Sequence, residues 1–257
     1  MLLPPPLRTR RGIPFYHDKT EAEFSADAYE RYAGLVARQT ALHLRGRAQT
    51  DVPYPFQPVL DYVLNWLPVG LSTLADIGCS TGRLIAELAL RNPAADCYGI
   101  DYSYQMLRQA QDYWCLGQSL RPHLASVGLE TPELAATQLP GNLQFALARA
   151  EALPFPDCSL DGLLTTFLLD RLDRPVASLR EFYRVLRPGG RLCLVTPLNF
   201  LTTEGWSAFH PPVKLYHALQ RAGWNVLDWT DPLLVREPID GRGNTMEWNC
   251  VAVTAMR

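Results

Sequence analysis

A doubly wound α/β fold, built on a largely parallel seven-stranded sheet, is what this sequence predicts, and three observations predict it. Short apolar runs alternate with segments of helical periodicity from residue 71 onward, the pattern of parallel strands joined by crossover helices. One run, Leu74-Ala75-Asp76-Ile77, passes directly into the glycine-rich turn Gly78-Cys79-Ser80-Thr81-Gly82, with a helix-forming stretch behind it. About 19 residues after Gly82 a second run, Cys97-Tyr98-Gly99-Ile100, ends on Asp101, where a carboxylate can accept hydrogen bonds from a ribose diol. These features describe a Rossmann-like sheet laid out to hold a nucleoside at the carboxyl ends of its strands.

The remaining elements follow in order. Residues 1–18, rich in proline and arginine, read as a flexible tail. Residues 19–70 read as an N-terminal helical cap. Its first helix opens on a Thr20/Glu23 capping box and runs through Phe24, Ala28, Tyr32, Leu35 and Leu42. Pro53, Pro55 and Pro58 break the pattern, and a second helix over 59–67 leads to the first strand at 71–77. The core domain then fills 71–257. Helices are expected at 83–91 and from the Ser103 cap through Tyr113, followed by an insertion around 116–142 punctuated by Gly117, Pro122 and Gly128. That insertion either lines a substrate pocket or is a passive loop. Strands follow at 143–148, 159–166 and 191–196, the last after a helix ended by Pro188-Gly189-Gly190. A helix over 213–222 and strands at 224–229 and 248–255, joined through Asp240-Gly241-Arg242-Gly243-Asn244, close the sheet as an antiparallel hairpin.

Composition narrows the function. The 257 residues suffice for one sizeable α/β domain plus a cap, and 47% hydrophobic with 19% charged residues describes an ordinary globular protein. A formal charge of −2 argues against a polyanion binder, so no nucleic-acid partner is expected. The six cysteines lack Cys-x-x-Cys spacing and read as reduced, buried thiols, with no metal site. Met1-Leu2-Leu3 is cut short by Pro4-Pro5-Pro6, so neither a signal peptide nor a membrane partner is expected, and the cytoplasm is the expected location. The oligomeric state stays open.

The turn chemistry selects the nucleoside. A dinucleotide fingerprint needs Gly-x-Gly-x-x-Gly; here Gly78-x-x-x-Gly82 is preceded by Asp76, a carboxylate that opposes phosphates and suits an ammonium group. This fits the methionyl end of S-adenosylmethionine and fits a nicotinamide dehydrogenase poorly. The pattern Asp-x-Gly-x-x-x-Gly, followed by a strand ending in Asp101-Tyr102-Ser103, resembles the class I S-adenosylmethionine-dependent methyltransferases. Met106-Leu107, Glu151-Ala152-Leu153-Pro154-Phe155 and Leu179-Arg180-Glu181 extend the resemblance over about 71–256, closest to the small-molecule ubiquinone/menaquinone methyltransferase-like group.

That resemblance implies a cofactor site made of Asp76, Gly78, Cys79, Ser80 and Gly82 around the methionyl end and Asp101 on the ribose. Tyr102 and Met106 sandwich the adenine, the Ala150 amide reaches its edge, and Glu151, Phe167 and the cap residue Tyr32 complete the set. One departure stands out: Arg149 occupies the position of an aspartate that accepts from the adenine amine, and arginine has no acceptor. For chemistry the candidates are Asp170, as a general base or acceptor-orienting group, and His210 in an aromatic loop with Trp206 and Phe209. Each also has a plain structural reading, Asp170 as a helix cap and His210 as a surface residue. The strand end lacks an Asn-Pro-Pro-Tyr-like motif, which leaves a small-molecule acceptor as the expected partner. The competing reading is a methyltransferase-like fold used as a non-catalytic binding or regulatory module.

Overall fold

The computed structural model describes residues 2–48, 53–125, 128 and 133–257. Among these, the sheet has nine strands rather than seven, in the order β1-β2-β5-β4-β3-β6-β7-β9-β8. The expected strands are β3 (Thr73–Ile77), β4 (Asp96–Asp101), β5 (Leu143–Leu147), β6 (Leu160–Thr166), β7 (Leu186–Thr196), β8 (Asn225–Pro238) and β9 (Thr245–Met256). The additional pair is β1 (Arg8–Arg10) and β2 (Ile13–Phe15), from within the segment that composition reads as tail. They form a hairpin whose Phe15 pairs in parallel with Leu147 of β5. Three-residue strands carrying arginines and a proline show no alternation to read. Burial of Ile13 and Phe15 nevertheless anchors them to the sheet edge.

Strands β3 to β7 are parallel, whereas β9 runs antiparallel to both β7 and β8. Their side chains alternate between two cores, as the period of two requires. Leu74, Cys97, Phe145, Leu164 and Cys193 face one core, shared with α4 (Gln57–Trp66), α5 (Arg83–Arg91) and α6 (Tyr104–Ala110). Ala75, Ile77, Ile100, Leu163 and Leu194 face the other, shared with α7 (Pro175–Val185), α8 (Thr203–Phe209) and α9 (Val213–Arg221). The chain winds outward from β3 through β4 to β5, then returns to β6 on the opposite side of β3. That reversal opens a crevice at the carboxyl ends of β3 and β6.

The stretch expected as one helix from Thr20 to Leu42 is three: α1 (Glu21–Ala26), α2 (Ala28–Arg31) and α3 (Ala33–Ala48). The capping box forms as written in the sequence. Asp27 then breaks the run by going extended and accepting from the Tyr29 and Glu30 amides, and Tyr32 is a second extended break. The local cap competes with helix continuation at an aspartate, as it commonly does. Residues 49–52 of the expected cap, and 126–127 and 129–132 of the expected insertion, lie outside the described residues. The rest of the insertion folds back through a Leu120–Leu134 bridge and buries Leu124 and Leu134. The loop expected over 197–212 contains α8, capped by Thr202.

Candidate functional site

The glycine turn is built inward. Gly78 and Gly82 have φ of +80° and +77°, and Ser80 has φ of +53°, so the chain makes its sharp reversal through left-handed residues that glycine tolerates best. The Gly78 and Cys79 amides both donate to the Ile100 carbonyl of β4, and the Gly82 amide to Cys79. The Ser80 amide donates to Asp101 Oδ2 at 2.8 Å. These four N–H groups are therefore engaged within the turn and with β4 and do not face a ligand. With these four donors engaged, the glycines themselves offer no amide to a phosphate, and the turn is compatible with a cation. Each glycine has its own packing reason as well: a Cβ on Gly82 would meet the Phe145 ring at 2.6 Å, and one on Gly78 would meet Leu168 at 3.0 Å.

Asp76 and Asp101 are the carboxylates of this end of the sheet. Asp76 is 2% exposed, and its Oδ1 has no hydrogen-bond partner. Burial, with Asp101 adding like charge, holds its carboxyl well above the usual range. Asp101 accepts from Ser80 and Ser103 amides, one on each oxygen. Loss of hydration still raises its carboxyl, with those two bonds opposing. Each oxygen retains capacity for a further donor such as a ribose hydroxyl. Ser80 Oγ, Thr81 Oγ1 and Thr165 Oγ1 are also buried without partners. Orphaned polar atoms gathered at a strand-end crevice, beside a carboxylate without a cation, fit a bound ligand that carries an ammonium group and hydroxyls.

The adenine side is more crowded than the sequence suggests. Met106 is buried in α6, whose first turn is capped by Ser103 Oγ. Lys19 Nζ lies 4.2 Å from the Tyr102 ring centroid, the Arg149 guanidinium 5.5 Å, and the His17 ring 5.6 Å. Lys19 is itself paired with Asp27 at 2.6 Å and Glu30 at 3.2 Å, and Glu30 accepts from the Tyr104 amide. Arg149 pairs with Glu23 and Glu151, while Ala150 is buried beside it. Glu23, bound by the Thr20 amide, the Thr20 hydroxyl and His17, is held down at about 2, the Thr20 amide being the largest cause. Lys19, Glu23 and Glu30 escaped the sequence reading because nothing but folding brings them to Tyr102; the capping box was their only local signal.

On the acceptor side, Asp170 is fully buried in a single 3-10 turn after β6. It caps no helix: α7 begins at Pro175 without a side-chain cap. Instead Oδ1 accepts from the Thr196 hydroxyl at 3.1 Å, and Oδ2 lies 3.4 Å from Arg171 Nε without a hydrogen bond. Burial raises its carboxyl, with Arg171 opposing. Phe167, at the end of β6, is left-handed with φ of +54° and sits edge-on between Phe56 and Trp248. His43 stacks on Phe56 at 4.9 Å and contacts the Tyr54 hydroxyl; burial and Arg83 lower it to about 4, so it is neutral at pH 7. His210 is exposed at the end of α8, its ring against Trp206. The cap residue Tyr32 is 54% exposed, and Tyr29 before it, 37% exposed, has its hydroxyl raised by partial burial, with Asp101 adding to it. No group of metal-ligating side chains is assembled among the described residues, and no helix there is long and apolar enough to cross a membrane.

Comparison with known proteins agrees with this geometry. Residues 75–194 match the family described as "Methyltransferase domain". The chain is 36% identical over 86 residues to the ubiquinone/menaquinone biosynthesis C-methyltransferase UbiE of Escherichia fergusonii, covering 32% of each chain. It is 28% identical over 123 residues to UbiE of Geotalea daltonii, covering 48% of this chain and 44% of the other. The matched stretch thus spans a third to less than half of these relatives' length. In fold, the chain resembles a S-adenosylmethionine-dependent methyltransferase from Aquifex aeolicus, at 18% identity and a TM-score of 0.52 over 86% of this chain and 97% of that one. It also resembles a structure described as a complex of the Haloferax volcanii Trm112 methyltransferase activator and a methyltransferase, at 16% identity and a TM-score of 0.58 over 93% and 97%. Over residues 75–194 the chain therefore matches the methyltransferase domain family, in a fold shared with a S-adenosylmethionine-dependent methyltransferase.

Proposed function

We propose that this chain transfers a methyl group from S-adenosylmethionine to a small-molecule acceptor. The observation that carries the reading is the unpartnered, buried Asp76 carboxylate beside Asp101 at the switch point, a pair that a bound ammonium group and ribose diol satisfy together. Asp76 and Ser80 hold the methionyl ammonium, Asp101 accepts from the ribose, and Tyr102, Met106 and the Ala150 amide receive the adenine. The cofactor supplies an electrophilic methyl group on a sulfonium. Asp170 faces the acceptor with Oδ2, the oxygen that makes no hydrogen bond. Thr196 fixes its orientation, and its raised carboxyl makes it a better proton acceptor than an ordinary surface aspartate. Phe56, Phe167 and Trp248 exclude water from that side, so positioning supplies part of the rate. His210, exposed on α8, has a solvent-side position and is not needed for this scheme.

Calorimetric titration with S-adenosylmethionine and S-adenosylhomocysteine tests the cofactor half. Micromolar affinity for both is expected, and absence of binding to either overturns the reading. A second reading, a non-catalytic module, is favoured by one observation: Lys19, His17 and Arg149 already cover the Tyr102 ring. Cofactor binding without methyl transfer to any member of a panel of phenols, amines and carboxylic acids would favour that module.

A further inference from the structure

Beside the crevice, two cavities run along α3, one of about 550 Å3 and one of about 340 Å3, and Arg38 and Leu124 line both. They form one groove between α3 and the end of β8. Its floor is apolar, with Leu35, Leu42, Leu124 and the rings of Pro53 and Pro55. Its charged lining side chains are the arginines Arg31, Arg38, Arg45 and Arg236, of which Arg38 pairs with Glu237 and Arg236 with Glu247. Arg38 and Arg45 stand two turns apart on α3 and so share one helix face.

The groove is tied to the methyl-transfer side of the sheet through side chains. Arg38 donates to Glu237 at 2.6 Å, Trp248 Nε1 donates to the other oxygen of Glu237 at 2.9 Å, and the Trp248 ring packs edge-on against Phe167. Phe167 precedes the buried Asp170 by one turn of chain. Resting on the functional reading above, we infer that the acceptor is an amphipathic anion, whose apolar body lies on this floor and whose carboxylate or phosphate head is held by the arginines. Charge complementarity disfavours a cationic amphiphile, and the apolar part of the floor gives a small hydrophilic anion little to bury. Head-group binding at a distance from the reacting atom orients the acceptor without taking part in the chemistry.

Gly34 provides the test. It is exposed on the groove, and a Cβ built there meets nothing within 4 Å, so Gly34→Glu adds a carboxylate to the rim without disturbing packing, near a helix N-terminus that tolerates it. The probes are decanoate, decyl phosphate, decyl maltoside and decyltrimethylammonium, titrated calorimetrically below their micelle concentrations, with S-adenosylhomocysteine in parallel. Decanoate or decyl phosphate should bind at least tenfold more tightly than the neutral and cationic probes, and the two anions rank the head groups. Gly34→Glu should weaken the anions at least tenfold and leave S-adenosylhomocysteine affinity unchanged. The anion should also bind when S-adenosylhomocysteine is saturating. Equal binding of all four probes, no anion binding, indifference to Gly34→Glu, or competition with S-adenosylhomocysteine would each overturn the inference. Anion binding that responds to Gly34→Glu in a protein that binds no S-adenosylhomocysteine would retain the groove and sink the cofactor reading alone.

Discussion

Asp170 shows how a single residue's role changes once its partners are known. In the sequence it competes with a capping role, and only the fold shows that α7 starts at Pro175 without it and that Thr196 holds one of its oxygens. A buried carboxylate with one oxygen free of hydrogen bonds is poised to accept a proton or to orient a donor. Asp170→Asn keeps the shape and removes the proton acceptor. It should lower kcat roughly a hundredfold, the lower end of general-base effects, with S-adenosylhomocysteine affinity unchanged. Turnover equal to wild type in a radiolabelled methyl-transfer assay would make Asp170 a packing residue. Arg149 is the converse case. The sequence marks it as a lost acceptor, and the structure gives it a positive role as the partner of Glu23 and Glu151, which no local pattern announces.

At the scale of elements, the N-terminal segment holds the least legible part of the site. The turn, strands β3 to β7 and the helices between them were readable because buried parallel strands are continuous apolar runs and glycines mark their exits. β1 and β2 were not, since three-residue edge strands carry too little pattern, and the breaks at Asp27 and Tyr32 were hidden inside a plausible helical period. β8 and β9 also extend well past the expected spans. The β7 strand likewise begins at Leu186 and takes in the Pro188-Gly189-Gly190 turn that the sequence places ahead of it. The segment from His17 to Glu30 is latched over Tyr102 by the Glu23–Arg149 pair, Lys19 over the Tyr102 ring and the Tyr104 amide donating to Glu30, so on the proposed site cofactor entry requires it to move. Glu23 and Arg149 are part-exposed, where salt screens an ion pair. Stopped-flow binding of S-adenosylhomocysteine should therefore speed up several-fold between low and high salt, and Glu23→Gln should reproduce the faster rate at low salt. A rate that ignores both salt and the substitution would mean that the segment does not gate entry.

For the whole molecule, the candidate site is set against stability. Asp76, Asp101 and Asp170 all have carboxyls raised by burial. A folded-state value above the unfolded one means that the native protein holds more protons, so its stability is fully present below the unfolded carboxylate range and falls as pH rises through the folded values. His43 works the other way. Lowered from 6.5 to about 4 by burial, it removes stability as pH falls through that interval and is silent above it. The two effects oppose one another in mild acid, and above pH 6.5 His43 drops out, leaving Asp76, held well above its ordinary range, and the buried thiols, whose raised values act only at alkaline pH. The cofactor-free protein should thus lose thermal stability as pH rises through the folded value of Asp76, the carboxyl held furthest above its ordinary range, and saturating S-adenosylhomocysteine should raise Tm by more above that value, where Asp76 must otherwise ionise without a cation. Asp76→Asn has no charge to bury: its Tm should exceed that of the wild type at alkaline pH, with a flatter profile and S-adenosylhomocysteine affinity at least tenfold weaker. A variant less stable than wild type at every pH, yet still binding normally, would place the Asp76 carboxylate in the scaffold and remove it from the site. The same crevice that leaves the Asp76 carboxylate without a partner in the free protein is then what makes the ligand a stabiliser of the fold.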